Sequence, residues 1–145
     1  MATLISYAEL QEERIMAPAH PGWNLLGNML PRFAARAAEA DERDAFVGEN
    51  FMELKAAGLM GAGVPVELGG MGATLPELCD MLRTIAHSCS STALAFSMHT
   101  HQVATNTWRW KHANAPVEGL LRRIAAENLQ LLSSGGSDWL TGDRK

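Results

Sequence analysis

A chain of 145 residues holds about one domain's worth of sequence and is long enough to bury a core without disulfide or metal staples. Hydrophobic residues make up 47% and charged residues 19%, a balance that excludes a disordered chain. The net charge of −4 excludes the broad cationic surface that nucleic-acid backbones and anionic membranes attract, and no run of about 18 apolar residues is present to span a bilayer.

Residues 1–21 hold Pro18 and Pro21 and lack a sustained pattern beyond a short helix predicted around Ser6 to Ile15, so they read as a loosely attached arm. From Trp23 onward, Leu26, Met29, Leu30, Phe33 and Ala37 fall on one helical face, which Pro31 should bend unless it marks a start. Beyond the charged Asp41 to Asp44 patch, Val47, Phe51 and Leu54 predict a second amphipathic helix, with Gly58 ending it in a left-handed conformation and Glu49, Glu53 and Lys55 facing water. Five glycines and Pro65 between Leu59 and Gly72 exclude a regular helix and predict a loop of close backbone approach.

Thr74 and Glu77 form a capping-box pattern, and Leu78, Leu82, Ile85 and Cys89 then give an apolar stripe at helical steps. Cys79 and Cys89 on that one helix would stand roughly 15 Å apart along its axis, too far for a disulfide. With no signal-like pattern at the start of the chain, a reducing cytoplasm is the expected compartment. Ser90 or Ser91 is placed to cap the next helix, whose early part, Ala93, Leu94, Ala95, Phe96 and Met98, is apolar all round and is expected to be central and buried. Asn114 or Ala115 should cap a shorter helix near Pro116, carrying Val117, Leu120, Leu121 and Ile124 inward with Arg122 and Arg123 outward. Leu129 to Leu132 fits a helix end or a strand, and the following Ser133, Ser134, Gly135 and Gly136 favour a strand entering a turn. The expected fold is all-α, an orthogonal bundle of about five helices with a short β stub at the C-terminus.

Several chemistries find no support in the spacing. His99 and His101 diverge by about 200° on a helix and cannot chelate one metal ion, while His87 and His112 read as a helix-end and a loop residue, so no metal site is expected. Gly61, Gly63, Gly69, Gly70 and Gly72 lack the preceding strand and following helical glycine of a dinucleotide fingerprint, and no Gly-Lys-Ser or Gly-Lys-Thr pair exists, so the segment reads as a structural turn. Ser97 before Met98 and His99 lacks the flanking glycines of a nucleophile elbow. Trp108 and Trp110, with Arg109 and Lys111, read as the anchor of a helix end or a subunit contact, since an acidic chain is a poor nucleic-acid platform.

Leu54 to Gly72, reading LKAAGLMGAGVPVELGGMG, resembles a pattern of the acyl-CoA dehydrogenase family: a helix ending in leucine and glycine, a Val-Pro, an acidic residue and a Gly-Gly-x-Gly turn. The helix Leu75 to Ala86 follows at the family's distance. Ser91 to His99, STALAFSMH, then resembles the small-residue helix that walls the acyl pocket, and Leu121 to Asn128 resembles the segment before the flavin-binding sheet. The resemblance covers Gly22 to Gly142 and divides the chain into the arm 1–21, a helical domain 22–128 and the start of a flavin-binding β-domain at 129–145.

It implies FAD as cofactor and acyl-CoA or a similar thioester as substrate of an oxidoreductase acting on CH-CH groups. A glutamate base would remove the α-proton while hydride passes to the flavin. That base belongs to a C-terminal domain with no counterpart here, so the resemblance assigns no catalytic residue and implies a chain inactive alone. Gly136, Ser137 and Asp138 match the family's Gly-Ser-Asp, which places Ser137 near the cofactor. Leu132, Ser133 and Ser134 replace its Thr-Glu-Pro, leaving Ser133 and Ser134 as hydroxyl or backbone donors to a flavin and pointing also to the flavin-dependent monooxygenase branch of the fold. Leu94 and Met98 are the acyl-wall positions, with ordinary core as the competing reading. The alternatives are a self-standing helical interaction module or a subunit of a split enzyme. Helix faces that pack on a middle domain would be left uncovered, which predicts a homo-oligomer or a partner chain.

Overall fold

Pro31 decides how the first helical face is built. The computed structural model of the chain describes His20 and residues 23–132, and among them six α-helices. α1 spans Asn24–Gly27 and α2 spans Leu30–Glu42. Pro31 sits in the first turn of α2, where its missing N–H has no intrahelical acceptor to lose, so the face divides into two helices instead of bending.

α3 spans Gly48–Ala56, and Gly58 follows in the left-handed region at φ 73°. Glu53 departs from the expected solvent position: its side chain is 23% exposed because two guanidinium groups of α2 reach across to it, Arg32 at 2.5 Å and Arg36 at 2.6 Å. The Arg32 hydrogen bond is the main cause that holds the Glu53 carboxyl below its ordinary range; burial opposes it, and the Arg36 hydrogen bond and the two guanidinium charges outweigh that opposition. Between Gly58 and Thr74 the chain makes only two 3-10 turns, Leu59–Gly61 and Val66–Leu68, as the density of glycine predicts.

α4 spans Leu75–Ser88 behind the Thr74–Glu77 capping box, with the Thr74 N–H donating to Glu77 Oε2 at 2.7 Å. α5 spans Ser90–Ala113 and is about 36 Å long. Cys89 separates the two helices. Its extended backbone (φ −155°, ψ 103°) ends α4 and caps α5, so the two cysteines do not share a helix interior and neither Ser90 nor Ser91 is the cap. Ser91 instead donates to Asp41 Oδ1 at 3.0 Å. Both cysteines are free thiols, Cys79 exposed and Cys89 buried.

α6 spans Glu118–Glu127. Asn114, expected to start it, terminates α5 in the left-handed region at φ 47°, a conformation asparagine tolerates better than most side chains. α5 thereby runs further than the polarity after His99 suggests, and His112 lies in its last turn, not in a loop. Leu129 to Leu132 leave α6 without regular structure, and no strand occurs among the described residues because none offers them a pairing partner. The rest of the expected β stub and the Ser6 to Ile15 helix lie outside the described residues.

Two apolar clusters fill the interior. The first gathers Leu26, Phe33, Phe51, Leu54, Leu59, Met60, Met81, Ile85 and Phe96 from α1 to α4 and the first half of α5. A second, smaller one joins Val64, Leu68, Val103, Leu121 and Ile124 from the Gly-rich segment, the middle of α5 and α6. Each fully buried Leu, Ile or Phe contributes about 1.5–3 kcal/mol of transfer free energy, so these side chains hold the helices in place. No helix among the described residues is long and apolar enough to cross a membrane.

Candidate functional site

The Gly-rich segment folds back on itself. Gly70 N–H donates to Pro65 O (3.1 Å), Met71 to Gly61 O (3.1 Å), Gly72 to Val64 O (2.8 Å) and Ala73 to Ala62 O (2.9 Å). With these donors spent on its own carbonyls, the loop has no nest of N–H groups for a phosphate, and its role is to link the two clusters. Gly70 is required by close approach: a Cβ there would stand 2.2 Å from Val64 O.

α5 carries the site positions derived from sequence, and it departs from the expectation of a helix buried all round. Ala93 and Phe96 are buried, but Leu94 is 71% and Met98 is 44% exposed. One helical turn apart, they form an uncovered row, and Trp108, 60% exposed, lies further along the same helix past the exposed polar His101 and Thr105. Leu94 and Met98 therefore do not belong to the core of the described residues. Ser133, Ser134 and Ser137 lie outside the described residues, as do Gly136 and Asp138.

Next to Met98 in sequence, the ring of His99 is 1% exposed and stacks on Phe96 with centroids 5.7 Å apart. Its Nε2 lies 2.9 Å from Met60 O, and its Nδ1 accepts the Leu131 N–H at 3.0 Å. Burial pushes its proton affinity below the ordinary imidazole value, with the Met60 carbonyl pulling the other way. His101 is exposed on the outer side of the helix, so the two histidines diverge as their spacing requires. Among the described residues no three His, Cys, Asp or Glu side chains gather into a metal-binding group.

The sequence reading passed over a second polar element. Arg36 donates to Asn50 Oδ1 (2.6 Å), Asn50 Nδ2 to Thr92 Oγ1 (2.8 Å), and Thr92 Oγ1 to Cys89 Sγ (3.1 Å), so that Asn50, 1% exposed, ties α2 and α3 to the start of α5. The one available signal was position: Asn50 falls beside Val47, Phe51 and Leu54 on the buried face of α3. All of its polar groups in this chain are paired, which makes it structural.

Two open clefts mark the surface. One of 260 Å³ lies at the α2–α3 corner between Arg36, Arg43 and Phe46. The other, of 200 Å³, separates the start of α4 from the second half of α5 and is lined by Gly63, Leu78, Thr107, Trp108 and Lys111. The second also carries His112, but its Thr107 Oγ1 is occupied in donating to Gly63 O at 3.0 Å, as Ser97 Oγ on the same helix is in donating to Leu94 O at 2.7 Å. The flavin-binding positions implied by the resemblance are not among the described residues, and the described loop is no cradle for its phosphates. These residues can supply an apolar surface and a rigid support for the segment leaving at Leu131 and Leu132.

Comparison with known proteins gives the architecture its place. Residues 29–114, more than half of the chain, match the model of the acyl-CoA dehydrogenase N-terminal domain. An L-evernosamine nitrososynthase from Micromonospora sp. is 34% identical across 95% of this chain and 39% of its own length. The oxygenase component of p-hydroxyphenylacetate 3-hydroxylase from Acinetobacter baumannii is 37% identical over 52% of this chain and 19% of that protein. The crystal structure of a nitrososynthase from Micromonospora carbonacea var. africana superposes with a TM-score of 0.68 at 38% identity, covering 77% of this chain and 30% of that one. The chain thus spans under two fifths of the length of these relatives. By its sequence and its helical fold, the chain belongs to the acyl-CoA dehydrogenase family, in the part that forms that family's N-terminal domain.

Proposed function

We propose that this chain forms the helical wall of the substrate cleft in a flavin-dependent oxygenating enzyme, on the branch of the fold that oxygenates an amine or aromatic substrate and not on the branch that desaturates acyl thioesters. The uncovered apolar row of Leu94 and Met98 carries the reading, because an apolar wall needs no titratable group and excludes water from a cleft completed by other chain. The choice of branch draws on the nitrososynthase and hydroxylase relatives, and on Leu132, Ser133 and Ser134 where the dehydrogenase pattern has Thr-Glu-Pro.

The flavin, read as FAD, supplies the activation of dioxygen when it is bound and reduced, one oxygen atom going to substrate and the other leaving as water. Leu94 and Met98 shape the apolar side of the substrate, with its polar group held elsewhere. Ser133, Ser134 and Ser137 are the proposed donors to the cofactor. The base and most cofactor contacts come from chain outside the helical domain.

A chimera tests this. Residues 23–132 replace the corresponding segment of the Micromonospora nitrososynthase, and the product is assayed with flavin, a flavin reductase with its nicotinamide donor, oxygen and the parent enzyme's amino-sugar substrate. We expect oxygen-dependent product formation, with Leu94→Gln/Met98→Gln lowering kcat/KM about tenfold through the lost apolar contact. Acyl-CoA-dependent reduction of a dye without oxygen would move the domain to the dehydrogenase branch. A chimera with native circular dichroism and bound flavin but neither activity would defeat the reading and favour an interaction module.

A further inference from the structure

We propose that His99 is a positioning residue that fixes where the chain leaves the helical domain, by clamping Leu131 to the Gly-rich loop through the neutral imidazole protonated on Nε2. Three stretches distant in sequence meet on one ring: Met60 in the loop, His99 on α5 and Leu131 in the exit segment. The bonding leaves one tautomer. Leu131 N–H can only donate, so Nδ1 must be the bare nitrogen, and Met60 O can only accept, so Nε2 must carry the hydrogen. An imidazolium would set an N–H against the Leu131 N–H and break the clamp, while leaving the Met60 bond intact.

The surroundings favour the neutral ring on every side. Phe96 stacks on it, and Leu129 and Leu131 pack with the second cluster. The ionisable groups of the elements around it are turned away or paired: Glu67 on the loop is exposed, Arg122 pairs with Glu118 and Arg123 with Glu127 on α6, and His101, Arg109 and Lys111 on α5 are exposed. Among the described residues no carboxylate is directed at the ring to stabilise a second proton. Without the clamp, the exit segment would keep only the apolar contacts of Leu129 and Leu131, since Leu132 is 81% exposed.

The destination of the exit, a cofactor site beginning at Ser133, rests on the function proposed above; the clamp itself does not. His99 and Met98 are neighbours on the same helix, α5, so a clamp on His99 would register that site against the helix that carries the apolar row. This makes the ring a support for the substrate wall, without contact to substrate or cofactor.

The test is amide hydrogen exchange and imidazole nitrogen NMR on the chain as it stands, without flavin. We expect a bare Nδ1, a protonated Nε2 and a Leu131 amide slowed about 100-fold or more relative to free chain. His99→Gln, which reaches the Nε2 partner only, and His99→Phe, which keeps the ring alone, should abolish that protection while Ile85 and Phe96 amides keep theirs. His99→Asn, whose oxygen falls near the Nδ1 position, should recover part of it. Lowering the pH through and below the ordinary imidazole range should release Leu131 before the core in the wild type, and should do nothing in His99→Asn. An unprotected Leu131 in the wild type overturns the proposal, as does protection unchanged in His99→Gln and His99→Phe, protection lost only together with the core, or no difference between His99→Asn and His99→Gln. An inactive chimera with a protected Leu131 would reject the proposed function and leave the clamp standing.

Discussion

Gly70 and Gly58 are both glycines that the fold needs, for different physical reasons that predict different costs. At Gly58 the requirement is conformational: φ is 73°, and a Cβ would meet nothing closer than Met71 Cε at 3.7 Å. Gly58→Ala should cost about 1 kcal/mol, the strain of a left-handed alanine. At Gly70 the requirement is space, since a Cβ would fall 2.2 Å from Val64 O, 2.4 Å from Val64 Cβ and 2.6 Å from Val64 C, atoms that no side-chain rotation moves away. Gly70→Ala should cost about 3 kcal/mol and separate the loop from the second cluster. Urea midpoints of the two variants measure the difference, and equal losses would show that the loop adjusts more freely than its hydrogen bonds suggest. The sequence made Gly58 readable, because a glycine after an amphipathic stretch has a local cause. It could not distinguish Gly70 from its neighbours, because the Val64 carbonyl that excludes a side chain is brought there by tertiary folding. His99 and Asn50 were opaque for the same reason, their partners being 39 and 42 residues away.

Helices were legible wherever one face is apolar at a period near 3.6 and the ends carry their own chemistry. Thr74 and Glu77 are the clearest case, and both donors of Thr74 are engaged: its N–H and its Oγ1 hydroxyl each donate to Glu77 Oε2 at 2.7 Å. These bonds, the Thr74 hydroxyl first, hold the Glu77 carboxyl below its ordinary range. Thr74→Ala should therefore cost about 1 kcal/mol, with the loss of helicity confined to the start of α4. A loss below a few tenths by thermal or urea denaturation would mean that packing of Leu78 and Met81 fixes the helix start unaided. α5 was harder to read. Its break from α4 depends on the backbone of Cys89, a residue without strong capping preference, and its far end on the left-handed Asn114, which also looks like the start of the next helix. The apolar run Ala93 to Met98 misled for a different reason. Apolar composition reports what a surface would rather touch, and the described residues leave Leu94 71% and Met98 44% exposed.

At the scale of the whole molecule, that uncovered row is where fold and proposed function meet. Two clusters already hold the helices, so Leu94 and Met98 add little to the stability of the chain itself; Trp108 lies further along the same helix, and Leu132 is exposed near the exit. Apolar side chains gathered on one helix favour association, at about 25 cal/mol for each Å² of apolar surface withdrawn from water. We expect the chain to self-associate at micromolar concentration by light scattering, through the α5 surface. The double substitution Leu94→Gln/Met98→Gln should shift it toward monomer while changing the urea midpoint little, since Leu94 is mostly in water and Met98 nearly half so. Two results would separate the possibilities. A wild-type monomer with no binding of an apolar dye would mean that the row is too small to drive association, and the wall would then need its remaining chain to be covered. Association that survives the double substitution would place the contact on other residues, with Phe46 just before α3 and Met52 within it, both 67% exposed, as the next pair to change.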